Sequence, residues 1–253
     1  MDLGIRGRSA LVWGGSRGMG RAAAEALARE GVEVTIAARK RDVLEQAAKH
    51  IGARGVVADL TTEAGRAAAL AACPQPDILI NNADGPAPGD FRRWEREDWI
   101  RTLDGMMLGP IFMMRAVVDG MIERTFGRIV NISARTVKSP QPEAGLSNGS
   151  RSGLVGFVAG LARETVKHNV TINNLLPGIF DSDGQREHVK SIVRMTGRAY
   201  EEVWEARGRE NPAGRYGRSE EAGAYIAFLC SAHAGFITGQ NLMIDGGQYP
   251  GTF

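Results

Sequence analysis

Residues 11–20 read Leu-Val-Trp-Gly-Gly-Ser-Arg-Gly-Met-Gly, an apolar run that breaks into glycines at the spacing Gly14-x-x-x-Gly18-x-Gly20 before an alanine-rich stretch. A strand that enters a glycine turn and leaves it as a helix restricts a chain to few folds, because the helix must pack back on the sheet its strand belongs to. Glycine permits the tight turn and lets a pyrophosphate approach the backbone closely. A helix beginning near Gly18 aims free amides and its positive end at the phosphates. A glycine triplet alone is a weak signal. Placed between a strand and an amphipathic helix it points to a dinucleotide site formed by Gly14, Ser16, Arg17, Gly18, Met19 and Gly20, with a purely structural turn as the alternative.

The rest of the chain alternates strand and helix. Strands are expected at residues 9–12, 32–37, 55–58, 77–80, 127–133, 170–176 and 241–244. Helices are expected at 18–30, 40–50, 63–72, 96–124, 153–168 and 220–231, with an irregularity at Gly109-Pro110 and short helical pieces at 187–195 and 200–207. The run 32–38 is mostly apolar rather than alternating, as in a strand covered on both faces. This order predicts an α/β fold, a Rossmann-type doubly wound parallel sheet in three αβα layers, with residues 1–253 as a single domain.

Composition excludes several classes. Net charge is +2 with the basic residues scattered, so nothing favours nucleic acid, and Arg124 and Arg128 are expected to face solvent. Cys73 and Cys230 make no CxxC pair or disulfide framework, and the four histidines are dispersed, so no metal site is expected. The longest apolar runs read as too short or too interrupted to cross a bilayer, and the first residues lack a secretory pattern, which makes a cytoplasmic protein the expectation.

The end of the second strand bears on the choice of cofactor. An acidic residue there would hold the adenosine ribose hydroxyls, but the chain reads Ala37-Ala38-Arg39-Lys40. With Arg17 in the glycine turn, Arg39 favours the 2′-phosphate of NADP(H) over NAD(H); the alternative is that both arginines are solvated surface groups. Asp59 and Leu60 would then lie by the adenine, and Asn82 and Ala83 by the adenosine ribose.

With these residues in view the chain resembles the short-chain dehydrogenase/reductase family, of the type that includes 3-oxoacyl-carrier-protein reductases. The resemblance covers essentially all 253 residues. Gly14, Gly18 and Gly20 match the family turn, with Trp13 where threonine is usual, and Asp59 matches the adenine-contacting aspartate. Asn81-Asn82-Ala83-Asp84 resembles the family's Asn-Asn-Ala-Gly, and residues 127–133 resemble its fifth strand. The resemblance places Pro177 and Gly178 beside the nicotinamide and Ser182 where a threonine contacts its amide. Gly214-Arg215, Gly239-Gln240 and Asp245-Gly246-Gly247 resemble the C-terminal signatures.

Set on the family pattern, the chain departs from it at all four catalytic places. Met106 takes the asparagine place, Ala134 the serine, Ser147 the tyrosine and Arg151 the lysine. Ser147 is less acidic and shorter than a phenol, Ala134 offers no hydrogen bond and Met106 relays no proton. Arg151 can hold a ribose or polarise an oxygen, but a guanidinium stays protonated and is no proton shuttle. Ser147 and Arg151 lie one helical turn apart with Asn148 beside them, which makes these three the candidate catalytic set. Three readings stay open. The favoured one is an oxidoreductase acting on a carbonyl compound or secondary alcohol by a rebuilt proton path. The others are a lyase, dehydratase or isomerase using the same pocket, and an NADP-binding protein without turnover.

Other residues admit bland readings. Ser133 is expected to be structural, Glu143 a surface charge, Arg135 and Lys138 solvated, with contact to an acidic substrate as their alternative, and His188 a lone exposed histidine, with contact to substrate as its alternative. Residues 179–211 are expected to cover the substrate. There Phe180, Val189, Ile192, Met195, Tyr200 and Trp204 suit a partly apolar ligand, or pack the cover onto the body, and Arg186, Arg194 and Arg198 could attract an anionic or carrier-bound one. The resemblance implies a homotetramer or homodimer through the helices at 102–124 and 153–168, with Tyr249 and Phe253 able to reach a neighbour.

Overall fold

A computed structural model of the chain describes residues 1–252. Seven strands, β1 (Ser9–Trp13), β2 (Glu33–Ala38), β3 (Arg54–Val57), β4 (Ile78–Asn82), β5 (Gly127–Ile132), β6 (Val170–Pro177) and β7 (Asn241–Ile244), form one parallel sheet in the order β3-β2-β1-β4-β5-β6-β7. The chain winds outward from β1 to β3 and restarts at β4. The winding therefore reverses between β1 and β4, and the sheet opens a crevice there.

Alternate residues of each strand feed two cores. Ala10 and Val12 of β1 face the helices α1 (Gly18–Arg29), α2 (Arg41–Ile51) and α9 (Ser219–Leu229). Leu11 and Trp13 face α3 (Glu63–Ala72), α5 (Gly109–Glu123) and α6 (Gly145–Thr165). Both faces are covered, which is why the strands read as continuous apolar runs. The observed bounds differ from the expected ones by one or two residues at most ends, as local patterns define ends poorly.

Two differences are larger, and a third is small but consequential. First, α6 begins at Gly145, eight residues before the expected start at Gly153. Gly145, Gly149 and Gly153 depress helix propensity, yet they form one stripe along the helix. A Cβ at Gly145 would lie 2.6 Å from the Trp94 ring, one at Gly149 3.1 Å from Trp99, and one at Gly153 2.6 Å from the Met107 sulfur. The stripe is thus the seat of α4 (Arg96–Leu103) and the turn after it. Second, the irregularity expected at Gly109-Pro110 is a π turn over Asp104–Leu108, where the Gly109 N–H reaches back to the Asp104 carbonyl. Proline has no N–H and its ring collides with the carbonyl four residues back, so the wider turn just upstream absorbs it. Third, β4 runs on to Asn82. This aligns Asn81 with Asn131, Asn174 and Asn241 on successive strands. Their carboxamides hydrogen-bond in a ladder at 2.9, 3.0 and 2.9 Å, which pairs polar groups that would otherwise be costly to bury and leaves the Asn81 Oδ1 at its end without a partner among the described residues.

The two arginines expected in solvent are not there. Arg128 is 1 % exposed, with its guanidinium bound to the Ser231, Gly127 and Asn169 carbonyls. Arg124 is mostly buried against the Pro76 carbonyl and Asp77. The helical stretch Arg96–Glu123 is, against expectation, long and apolar enough to cross a membrane by length and composition; here its buried side, with Met113, Met114 and Val117, packs on the sheet.

Beyond β6 the chain forms α7 (Asp183–Thr196) and α8 (Tyr200–Glu210), longer than the helical pieces expected there. Tyr200, Trp204 and Tyr216 stack with ring centroids 6.0 and 4.1 Å apart, and the Tyr216 hydroxyl donates to the Trp204 carbonyl. Of the two roles open to Tyr200 and Trp204, packing of the cover onto the body is the one this stack performs.

Candidate active site

The C-terminal ends of β1, β2, β4, β5 and β6 open into two adjoining cavities of about 860 and 650 Å³ that share Arg17, Asn82, Ala83, Asp84 and Trp94. The first is walled by Trp13, Gly14, Ser16, Arg39, Asp59, Leu60 and Met106. The second contains Gly18, Met19, Ala134, Ser147, Arg151, Pro177, Gly178 and Ser182 under α7 and α8. Gly20 and Asn148 line neither.

The turn between β1 and α1 is backbone-lined by necessity. Gly14 and Gly18 have φ of +63° and +54°, a region that L side chains rarely adopt. A Cβ at Gly20 would meet the Gly14 carbonyl oxygen at 2.4 Å, so Gly20 is needed for closure of the turn rather than for contact with a ligand. The N-terminus of α1 has no side-chain cap and no acidic residue in its first turn. By contrast, Thr62 caps α3 and Ser182 caps α7. The free amides and positive end of α1 are therefore left open to an anion, and the bare turn fits a pyrophosphate.

Charged groups ring the first cavity. Arg39 pairs with Asp84 at 2.8 Å and Arg17 with Asp183 at 3.2 Å, all four largely exposed. Asp59 accepts from the Thr61 N–H and hydroxyl at 2.9 and 2.8 Å. Burial raises its pKa, but those hydrogen bonds and the charge of Arg39 outweigh this and leave it below the usual carboxylate value. The Asn82 amide lies 3.5 Å from the Gly14 carbonyl and tethers the β4 turn to the glycine turn.

In the second cavity the Arg151 Nε donates to Ser147 Oγ at 3.1 Å, and its Nη1 to the Ile132 carbonyl, the last of β5, at 3.0 Å. Arg151 has no carboxylate within 4.0 Å among the described residues. Burial pushes its pKa down to about 10, so it stays charged at neutral pH. Asn148 does not join this pair: its amide donates to the Gln141 carbonyl at 2.8 Å and ties down the loop before α6. Ser133 is buried, with its Oγ unpartnered and its N–H on the Leu175 carbonyl.

The covering segment brings only part of its expected set to the cavity. His188 lines it and is half-buried rather than exposed; burial, then the charge of Arg207, lowers its pKa, with Glu143 opposing. Arg194 lines it, whereas Arg186 pairs with Asp181 and lies over the Trp204 ring, and Arg198 pairs with Glu202. Arg135 and Glu143 also line it, while the Lys138 ammonium lies 5.8 Å from the centre of the Tyr249 ring. Phe253 falls outside the described residues. Sequence reasoning missed Trp94, Gln141 and Arg207. For Trp94 a signal existed, since Glu95 and Asp98 form the capping box that starts α4 just behind it.

Residues 14–248 match the family model described as enoyl-(acyl carrier protein) reductase. The 3-oxoacyl-[acyl-carrier-protein] reductase of Vibrio cholerae is 31% identical over 98% of this chain and 99% of its own, and that of Aquifex aeolicus 33% over 98% and 100%. Among solved structures, L-sorbose reductase from Gluconobacter frateurii, complexed with NADPH and L-sorbose, superposes with a TM-score of 0.91 at 28% identity, covering 98% of each chain. Actinorhodin polyketide ketoreductase with NADPH superposes at 0.90 and 28%, covering 96% of this chain and 97% of its own. With a parallel sheet wound from a glycine turn and relatives matched over nearly their whole length, the chain belongs to the short-chain dehydrogenase/reductase family.

Proposed function

We propose that this chain is an NADP(H)-dependent oxidoreductase that interconverts a small carbonyl compound and its alcohol, with Ser147 and Arg151 where the family places a phenol and an ammonium. One observation carries the reading: the Arg151 guanidinium donates to Ser147 Oγ at 3.1 Å inside the cavity that also holds Pro177 and Gly178. NADPH in the solved relatives supports the cofactor, as do the uncapped α1 and the two arginines at the adenosine side.

When bound, the nicotinamide supplies a hydride to the carbonyl carbon, or accepts one from the alcohol. The glycine turn and α1 bind the pyrophosphate, Arg17 and Arg39 the 2′-phosphate, and Asp59 and Leu60 flank the adenine. Ser147 accepts from Arg151, which leaves its own O–H free to donate to the substrate oxygen. The remaining Arg151 N–H groups stabilise the negative charge that grows on that oxygen. A serine hydroxyl is too weak an acid to complete the transfer alone, so water in the open cleft delivers the proton through it. Met106 and Ala134 shape the walls without exchanging protons. Residues 179–211 cover the substrate. The outer faces of α5 and α6, where Phe157 is exposed, join subunits in a homodimer or homotetramer.

The test is a panel of ketones scored by loss of NADPH absorbance. Turnover is expected, and Ser147→Ala should lower kcat about tenfold while leaving NADPH affinity unchanged. Product formed without any change in NADPH would replace this reading with a lyase or isomerase. Tight NADPH binding with no chemistry across the panel would replace it with a binding protein.

A further inference from the structure

The cavity under α7 and α8 distributes its charges unevenly. Arg135, Arg151 and Arg207 are half-buried in its wall, and none has a carboxylate within 4.0 Å among the described residues. The Arg207 Nε is fully buried and has no hydrogen-bond partner among them, while the rest of its guanidinium reaches the Tyr216 hydroxyl. The acids of the same cavity, Asp84, Asp183, Glu143 and Glu187, are all exposed. Three of them are engaged, by Arg39, Arg17 and Lys190. A cation withdrawn from water without a counter-ion is costly, and a guanidinium fork matches an oxyanion.

The cofactor does not supply that oxyanion. Its pyrophosphate belongs at the N-terminus of α1, and its 2′-phosphate at Arg17 and Arg39. Arg135 follows β5 and Arg207 sits on α8, on the other side of the crevice. His188, whose pKa is lowered by burial and then by the charge of Arg207 against the opposing charge of Glu143, adds a polar group to this wall.

Building on the oxidoreductase reading, we propose that the substrate is a small ketone or alcohol bearing its own oxyanion group, a carboxylate or a phosphate. Arg207 and Arg135 take that group while Ser147 and Arg151 hold the reacting oxygen. A carrier protein with an acidic surface is the weaker fit, because it would meet the exposed carboxylates of the rim before reaching the half-buried arginines.

The test is calorimetric titration of the full chain, with and without NADP⁺, using 4-oxopentanoate, its methyl ester and dihydroxyacetone phosphate. At least one anion should bind about tenfold or more tightly than the ester, and raised salt should weaken the anion only. Arg207→Gln and Arg135→Gln should each weaken the anion about tenfold and leave the ester unchanged. Retained NADP⁺ affinity in each variant certifies its fold. The tighter of the two anions identifies the group. An ester that binds as well as both anions, or that the substitutions weaken equally, overturns the inference. NADPH consumption with neutral ketones alone overturns it while sustaining the oxidoreductase reading. Anion binding through Arg207 with no NADPH consumed by any ketone sustains the site and overturns that reading.

Discussion

Two arginines mark the two ends of β5. At its start, Arg128 makes four hydrogen bonds, to the Ser231, Gly127 and Asn169 carbonyls and the Asn169 side chain, and lies 4.4 Å from the centre of the Phe126 ring. At its end, Arg151 makes two, to the Ile132 carbonyl and Ser147. Neither cation has a carboxylate partner within 4.0 Å among the described residues. The first spends four of its five N–H donors on protein oxygens and lines neither cavity. The second keeps donors in reserve and faces a cavity. One end of β5 thus meets a guanidinium fastened by protein and the other end, through α6, a guanidinium facing a cavity at the sheet edge where this fold generally binds ligands.

Substituting these residues tests that division. The largest effect is expected for Arg128→Met, which removes all four hydrogen bonds by which the buried guanidinium ties β5 to Ser231 and Asn169. Denaturant unfolding should show a loss of about 3 kcal/mol, on the order of 10 °C in Tm, with NADP⁺ affinity of the folded protein unchanged. Unaltered stability would break the comparison at its structural end. Arg151→Met should do the reverse. Turnover should fall about 100-fold, near 2.7 kcal/mol in the barrier, while stability holds or rises because a desolvated charge is removed.

The titration of Arg151 sharpens the same point. Its pKa in the folded chain is pushed down to about 10 by burial, so the folded state releases the proton before the unfolded state does. The burial penalty is present in full below pH 10 and is relieved as pH climbs from there towards the ordinary arginine value. Turnover of the parent protein should fall as pH passes 10, and the residual rate of Arg151→Met should lack that step. The smallest effect belongs to the exposed Arg39. Arg39→Ala should weaken NADP⁺ about tenfold and leave NAD⁺ within about twofold by fluorescence titration, which would separate phosphate recognition from backbone recognition.

Sequence carried the cofactor end further than the chemical end, and for a physical reason. The turn at Gly14–Gly20 works through positive φ and the absence of Cβ atoms, which glycine spacing announces directly. The sheet order follows from apolar runs and alternation with helices. What stayed hidden depends on meetings between distant residues. The stripe of Gly145, Gly149 and Gly153 reads as poor helix until Trp94, Trp99 and Met107 are seen seated on it. Asn81, Asn131, Asn174 and Asn241 are unremarkable alone and become a ladder only through strand register. Arg128 reads as a surface charge until the Ser231 and Asn169 carbonyls arrive from other elements. Asn148 shares the Ser147–Arg151 segment, yet a loop carbonyl claims its amide.

The ion pairs at the mouth of the first cavity have a consequence for how the proposed cofactor would respond to ionic strength. Arg39 is held by Asp84 across from β2, and Arg17 by Asp183 at the start of α7. A phosphate arriving at either guanidinium exchanges one counter-charge for another instead of neutralising a bare cation. Added salt weakens the outgoing pair together with the incoming one. NADP⁺ affinity should therefore vary less with salt than its phosphate charges alone imply. The release of Asp183 would also free the first turn of α7 from the glycine turn, coupling capture of the dinucleotide to the position of the helix above the substrate.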